Sequence, residues 1–237
     1  NYSSHYEEDA LAVNYFEEDE YPATKNERRR NRQTLISEVP GDCKTILDIG
    51  CGGAWVASHF LKRNKQVISM DISSTNPVKA LKLLPHPNHA ALVADAFHLP
   101  FADDSLDCII ASEVIEHLVD PALFLRSVLK TLKRGGCLLL MTPYNEKLVY
   151  HLCIHCNQLT PQNAHLHSFD EKKIRSIVPA ENIKLKTIVF CNKYFLKLRI
   201  YNLLSFLPLR LWRLADKMAN AIAYKPVSFV IKIIKTD

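Results

Sequence analysis

From Thr45 onward, short apolar runs alternate with stretches of helical spacing. The runs Ile46–Ile49, Val67–Met70, Ala91–Val93 and Cys108–Ala111 read as buried strands, with helices predicted from Ala54, near Lys79–Leu84 and from Pro121. Strand, helix, strand, helix implies a parallel sheet. The helix after Asp120 is well signalled: Asp120 can cap it, Pro121 suits its first turn, Phe124, Leu125, Val128, Leu129 and Leu132 form its apolar face, and Gly135 is the expected stop. Gly136 then opens a further strand, Cys137–Met141. An irregular segment at 151–167 precedes Ser168-Phe169-Asp170-Glu171, a capping-box sequence that predicts a helix through Val178. A strand near Leu185–Cys191, a basic amphipathic helical region at 195–222 and a strand at Val227–Ile234 complete the pattern.

Residues 1–42 follow another rule. They are acidic and aromatic around Tyr6, Glu7, Glu8, Tyr15 and Phe16, turn basic at Arg28, Arg29, Arg30 and Arg32, and run into Leu35, Ile36 and Val39. One or two helices covering a main domain account for this, giving an N-terminal helical lid at 1–42 and a catalytic domain at 43–237. At 237 residues, with 48% apolar and 23% charged residues, one α/β domain with decoration is expected. The net charge of +5 is modest and dispersed, so it does not point to nucleic acid. Seven scattered cysteines, with no signal-peptide pattern at the start, fit a reducing compartment and predict a cytoplasmic protein.

Only six glycines occur, at Gly41, Gly50, Gly52, Gly53, Gly135 and Gly136, so each is expected where backbone geometry demands it. Thr45-Ile46-Leu47-Asp48-Ile49-Gly50-Cys51-Gly52-Gly53-Ala54 is a buried strand running into a glycine turn and a helix, which lets a ligand approach the backbone closely. A nicotinamide dinucleotide fingerprint would need a third glycine at Trp55. Asp71 ends the second strand about twenty residues on, where a carboxylate can take both hydroxyls of a ribose. Asp95 follows the third strand, where it can accept from an adenine amino group while the next amide meets a ring nitrogen. The ends of three successive strands thus suit one adenosine.

Leu47-Asp48-Ile49-Gly50-Cys51-Gly52, Asp71, Asp95-Ala96-Phe97-His98-Leu99-Pro100-Phe101, Ser112-Glu113-Val114-Ile115-Glu116-His117 and Lys133-Arg134-Gly135-Gly136 resemble the class I S-adenosylmethionine (SAM)-dependent methyltransferases of the broad small-molecule type. The resemblance is strong over about residues 40–142 and loose elsewhere. It implies a Rossmann-like, doubly wound, mostly parallel seven-stranded α/β sheet, with an inserted Cys/His loop here. It also implies SAM as cofactor, with Asp48, Gly50 and Gly52 around its methionine part, Asp71 on the ribose, and Asp95 and Ala96 at the adenine. Cys51, Ile72, Phe97 and Ser112 join that cofactor-binding set. One departure is Ala54, which stands where the usual third glycine falls.

Methyl transfer is an in-line displacement at a carbon already activated by the sulfonium, so the protein chiefly aligns the acceptor and removes its proton. Glu113 and His117, in the segment after the fourth strand, are the catalytic candidates. His117 suits a general base, and Glu-x-x-Glu-His suits a divalent ion, while the plainer alternative is that these residues only cap and orient the loop. Tyr144 is a further acceptor contact or a packing aromatic.

Cys153-x-x-Cys156 with His165-x-His167 supplies ligands enough for one tetrahedral structural zinc, with His151 or His155 as substitutes. The other reading places His165 against substrate. The expected function is methyl transfer to a small-molecule or lipid- or glycan-linked acceptor, and the alternative is a nonenzymatic SAM- or nucleoside-binding protein with a metal-stabilised interaction loop. Turnover to S-adenosylhomocysteine separates them. The leucine- and aromatic-rich 195–222 region, interleaved with lysines and arginines, reads either as a peripheral membrane contact for an amphiphilic acceptor or as a pocket cover or dimer face. Pro208 breaks it, which favours the cover.

Overall fold

The computed structural model describes residues 2–17 and 21–236. Its strands are β1 (Thr45–Ile49), β2 (Gln66–Asp71), β3 (His89–Val93), β4 (Leu106–Ser112), β5 (Leu132–Pro143), β6 (Tyr150–Leu152), β7 (Leu159–Pro161), β8 (Ile183–Asn192) and β9 (Pro226–Lys235). Seven of them form one sheet in the order β3-β2-β1-β4-β5-β9-β8, and β6 and β7 form a separate two-stranded hairpin. The first five run parallel, and β9 is antiparallel to both β5 and β8. This is the mostly parallel, Rossmann-like sheet expected. β1 is paired on both sides, with Ile46 opposite Val67 and Cys108, so order reverses at the β1/β4 boundary. In such sheets the crevice beyond the strand ends at that boundary is where ligands bind.

Helices cover both faces, which is why the central strands read as continuous apolar runs. The helices are α1 (Tyr2–Ala12), α2 (Pro22–Ile36), α3 (Trp55–Phe60), α4 (Thr75–Leu83), α5 (Pro121–Thr131), α6 (Glu171–Ile177), α7 (Lys193–Lys197), α8 (Ile200–Leu203) and α9 (Leu209–Ile222). Strand residues alternate between two cores. Leu47, Ile109, Leu138 and Ile231 pack with Phe124, Leu125 and Val128 of α5 and Ile174 of α6. Ile46, Cys108, Ile110 and Leu139 pack with Leu35 of α2, Val56 and Phe60 of α3, and Trp212 of α9. Burial of Leu35 makes α2 part of the main core.

Four local expectations change. Asp120 caps α5 by accepting from the Leu123 amide, but the helix stops at Thr131, because buried Leu132 turns extended and enters the sheet directly. Gly135, at φ +76°, lies inside the resulting bulge, where β5 slips from Leu106↔Leu132 to Cys108↔Cys137. Asp170, and not Ser168, caps α6 by accepting from the Lys173 amide, since buried Phe169 is drawn into a bridge with Tyr144. The 151–167 segment, expected to be irregular, contains the β6–β7 hairpin, and the 195–222 region, expected to break at Pro208, does so just before α9 and also divides into the short α7 and α8.

Candidate active site

The cleft beyond the strand ends encloses about 1060 Å³ and runs from the glycine turn to the segment after the hairpin. At its cofactor end the amides of Gly50 and Cys51 both donate to the Met70 carbonyl, at 2.9 and 3.0 Å, tying the turn to the end of β2. Gly50 and Gly52 have φ of +70° and +42°. A Cβ on Gly50 would come within 2.5 Å of Val114 Cγ2, so glycine is required there by conformation and by space. Ala54 holds the same left-handed conformation at φ 52°, ψ 33°, which costs an alanine about 1 kcal/mol.

Asp71 has two tasks. It faces the cleft, and its carboxylate accepts from the Ser73 amide at 3.1 Å, Asn76 Nδ2 at 3.2 Å and, more distantly, the Gly52 amide at 3.5 Å. Burial outweighs these donors and raises its pKa. Asp95 Oδ1 accepts from the Phe97 amide at 2.9 Å, shaping the turn after β3. Ile72, Ala96, Cys51 and Ser112 line the same cleft. Burial pushes the Cys51 thiol far up, so it acts as a neutral wall. Two expected cofactor residues sit elsewhere. Asp48 lies beneath the turn, 2% exposed, with Oδ2 unpartnered and burial holding its pKa well above the carboxylate range. Phe97 turns away to pack against the α5-side core.

The far end is built by one turn of 3-10 helix, Ile115–His117. The Glu116 carbonyl accepts the amides of Leu166 and His167 at 2.8 and 3.1 Å, which clamps the post-hairpin chain over that turn. His165 is thereby set against His117, ring centroids 4.9 Å apart, and its Nδ1 lies 2.5 Å from Glu146 Oε2. Glu116 is fully buried beside Glu113 and Thr142, and neither carboxylate oxygen has a donor in hydrogen-bonding geometry. His117 Nδ1 is likewise buried and unpartnered. Burial lowers the His117 pKa to about 4 and raises that of Glu113 to about 7, while burial and then the charge of Glu113 raise that of Glu116. Glu113 adopts a left-handed φ of 56°, with its amide donating to the Met141 carbonyl at 2.8 Å, and faces the cleft. Such strain in a side-chain-bearing residue is concentrated at functional positions.

Among the described residues, Glu116, His117 and His165 form the one group of three or more potential ligands whose ligand atoms all lie within 4.8 Å of one another. This differs from the expected Cys153, Cys156, His165 and His167 set, of which it keeps only His165. Cys153 and Cys156 sit in the exposed loop of the hairpin, where the neighbouring amides and the Cys156 thiol lower the Cys153 pKa. His167 turns toward Phe169, its Nε2 unpartnered. Backbone capture by Glu116 points the two histidines' segment into the cleft and away from the hairpin tip. Tyr144 is a packing residue, donating to Glu171 Oε2 at 2.8 Å.

The N-terminal cover supplies side chains that pattern reading did not single out for the site: Tyr2, His5, Tyr6 and Tyr15, with Glu27 and Asn31 of α2. Glu7 anchors the cover, accepting from the Ser74 amide at 2.6 Å and the Thr75 hydroxyl at 2.8 Å. The aromatic, acidic make-up of residues 1–17 was the available signal.

Residues 47–140 match the methyltransferase domain family model. The chain is 29% identical over 116 residues to a "probable S-adenosylmethionine-dependent methyltransferase" of Mycobacterium tuberculosis, covering 48% of this chain and 42% of that protein. It is 34% identical over 114 residues to a ubiquinone biosynthesis O-methyltransferase of Dinoroseobacter shibae, covering 46% and 44%. The chain thus spans less than half the length of these relatives. In fold it is similar to an S-adenosylmethionine-dependent methyltransferase from Mesorhizobium loti, with TM-score 0.63 at 15% identity over 89% of this chain and all of that one. Residues 47–140 thus match a methyltransferase domain, and over most of its length the chain has the fold of that solved methyltransferase.

Proposed function

We propose that this protein transfers a methyl group from SAM to a hydroxyl of a small or amphiphilic acceptor, with a divalent cation held by Glu116, His117 and His165. The observation that carries this reading is the buried cluster of those three residues at the acceptor end of a cleft whose other end is a glycine turn flanked by Asp71 and Asp95. A fully buried carboxylate with no partner is costly unless a cation or proton accompanies it. One carboxylate oxygen with two imidazole nitrogens suits zinc, manganese or iron(II), and the donor set fits. When bound, such an ion supplies positive charge that favours the deprotonated form of an acceptor hydroxyl.

The remaining chemistry belongs to the chain. Cys51 and the turn amides would hold the methionine part, and Asp71 the ribose. The cleft is lined by Asp9, Glu27, Asp71, Asp95, Glu113 and Glu146 against Arg28 and Arg32, an acidic excess that suits a ligand carrying a sulfonium. Glu113, whose pKa burial raises toward neutrality, takes the hydroxyl proton. The acceptor oxygen then attacks the methyl carbon in line as the carbon–sulfur bond breaks and its electron pair stays on sulfur, leaving S-adenosylhomocysteine. α1 closes over the site, while α2, fixed in the core through Leu35, lends Glu27 and Asn31 to its wall. The test is SAM turnover with a panel of catechols and phenols, with and without chelator. S-adenosylhomocysteine formed with a catechol, abolished by chelation and restored by zinc, manganese or iron(II), supports the reading; turnover indifferent to chelation removes the cation, and SAM binding without turnover on any acceptor removes the reaction.

A further inference from the structure

The helices between β8 and β9 bury one face and leave another bare. In α9, Trp212, Asp216 and Ala219 face the core, while Leu211, Leu214, Met218 and Ile222 are 52%, 56%, 59% and 87% exposed. Their spacing of three, four and four residues places all four in a single stripe along the helix. Leu203 and Phe206, in and after α8, are 74% and 79% exposed. Large apolar side chains scattered singly need no explanation, but a continuous stripe of this kind marks a contact surface.

The charge beside the stripe selects the partner. Residues 193–225 carry seven lysines and arginines and one acid, Asp216. That acid is buried and accepts from the Asn192 amide at 2.9 Å and from the Tyr201 hydroxyl, so it does not offset the surface charge. Arg210, Arg213 and Lys217 fall together on the flank of the stripe opposite the buried face, and among the described residues no carboxylate pairs with them. An apolar stripe edged by cations on one helix is the composition that lies in the boundary of an anionic bilayer. No helix of the described chain is long and apolar enough to cross a membrane, so the contact is peripheral.

The surface is rigidly joined to the cleft through α2. Arg30, 2% exposed, donates to the carbonyls of Ser205 and Leu207 at 2.9 and 2.8 Å and stacks on Trp212 at 5.3 Å, while Glu27 and Asn31 of the same helix line the cleft.

We infer that the exposed faces of α8 and α9 dock this protein onto anionic lipid, with Leu211, Leu214, Met218 and Ile222 entering the headgroup boundary and Arg210, Arg213 and Lys217 meeting lipid phosphate. The inference is independent of the reaction proposed above. The experiment is co-sedimentation of the full chain with phosphatidylcholine vesicles and with phosphatidylcholine/phosphatidylglycerol vesicles at low and high salt, alongside light scattering of the free protein. Leu214→Ser with Ile222→Ser removes apolar stripe without touching the core, and Arg210→Glu with Lys217→Glu reverses the flank; thermal melting confirms that both variants fold. Expected is binding to anionic vesicles that salt weakens, with each double variant losing roughly tenfold or more in partitioning. Equal partitioning of wild type and variants, or no preference for anionic vesicles, overturns it. A dimer in free solution that the Ser variant dissociates also overturns it, and assigns the stripe to a second copy of the chain.

Discussion

His117 and His165 meet edge to face, 4.9 Å between ring centroids, although 48 positions apart in sequence. The contact exists because the Glu116 carbonyl captures the amides of Leu166 and His167. Replacing either ring should therefore disable the acceptor end and spare the cofactor end. His165→Asn is expected to lower kcat by about 10²-fold or more with SAM affinity within about threefold, measured by steady-state kinetics and calorimetry. A large loss of SAM affinity would place His165 in the cofactor site instead.

Acid should unmask His117. Its pKa is held near 4 in the fold against 6.5 in the free side chain, so the unfolded chain takes up a proton first and stability falls as pH drops from about 6.5 toward 4. By linkage the effect reaches up to about 3 kcal/mol. His117→Asn should flatten that part of the stability–pH curve measured by denaturant unfolding; an unchanged curve would contradict the assignment.

Glu113 and Glu116 carry the opposite sign. Their raised pKa values mean the fold retains protons that the unfolded chain gives up, so stability contributed by the protonated pair is lost as pH rises through the carboxylate range and above. A cation replaces those protons. Added manganese should raise Tm more at alkaline than at acidic pH, and Glu116→Gln should abolish the difference.

Asp71→Asn should weaken SAM binding by about 10-fold to 100-fold, from loss of charge-assisted hydrogen bonds to the ribose. The carboxylate also accepts from Ser73 and Asn76, so Tm should fall by a few degrees as well. Unchanged affinity with a lowered Tm would leave Asp71 a scaffold for the glycine turn alone.

Ala54→Gly should relieve the left-handed backbone by about 1 kcal/mol and raise Tm by about 2–4 °C in a thermal melt. Glycine's greater freedom in the unfolded chain opposes this gain, so a Tm that falls would show the conformation to be unstrained.

The cofactor end was legible because its information is local: a strand, its turn and the next strand's last carboxylate lie within 27 residues, from Thr45 to Asp71. The acceptor end was legible only in its near half. Glu113 and His117 stand directly after β4, but their partner His165 arrives through backbone hydrogen bonds that side-chain spacing does not encode. Cys153-x-x-Cys156 is near His165 and His167 in sequence, but the intervening β7 strand leaves both cysteines in the loop at the hairpin tip. Tyr2, His5, Tyr6 and Asp9 share one face of α1 and line the cleft, but their mixed aromatic, basic and acidic character hides that period from a hydrophobic reading, and Tyr15 lies beyond the helix. Asp48 and Asp71 look alike as letters near strand ends, yet Asp48 is level with Ser69 inside the sheet and buried, while Asp71 stands two positions further on, past the last paired residue of β1, and so reaches the cleft.

The glycine turn is roofed as well as floored. A Cβ on Gly53 would fall 2.1 Å from the Tyr15 carbonyl oxygen, so the N-terminal segment rests directly on the backbone that would seat a nucleoside. If the proposed methyl transfer holds, cofactor and product would share one door, each cycle would unseat and reseat that segment, and release of S-adenosylhomocysteine would set the tempo, so that the first turnover outruns those that follow.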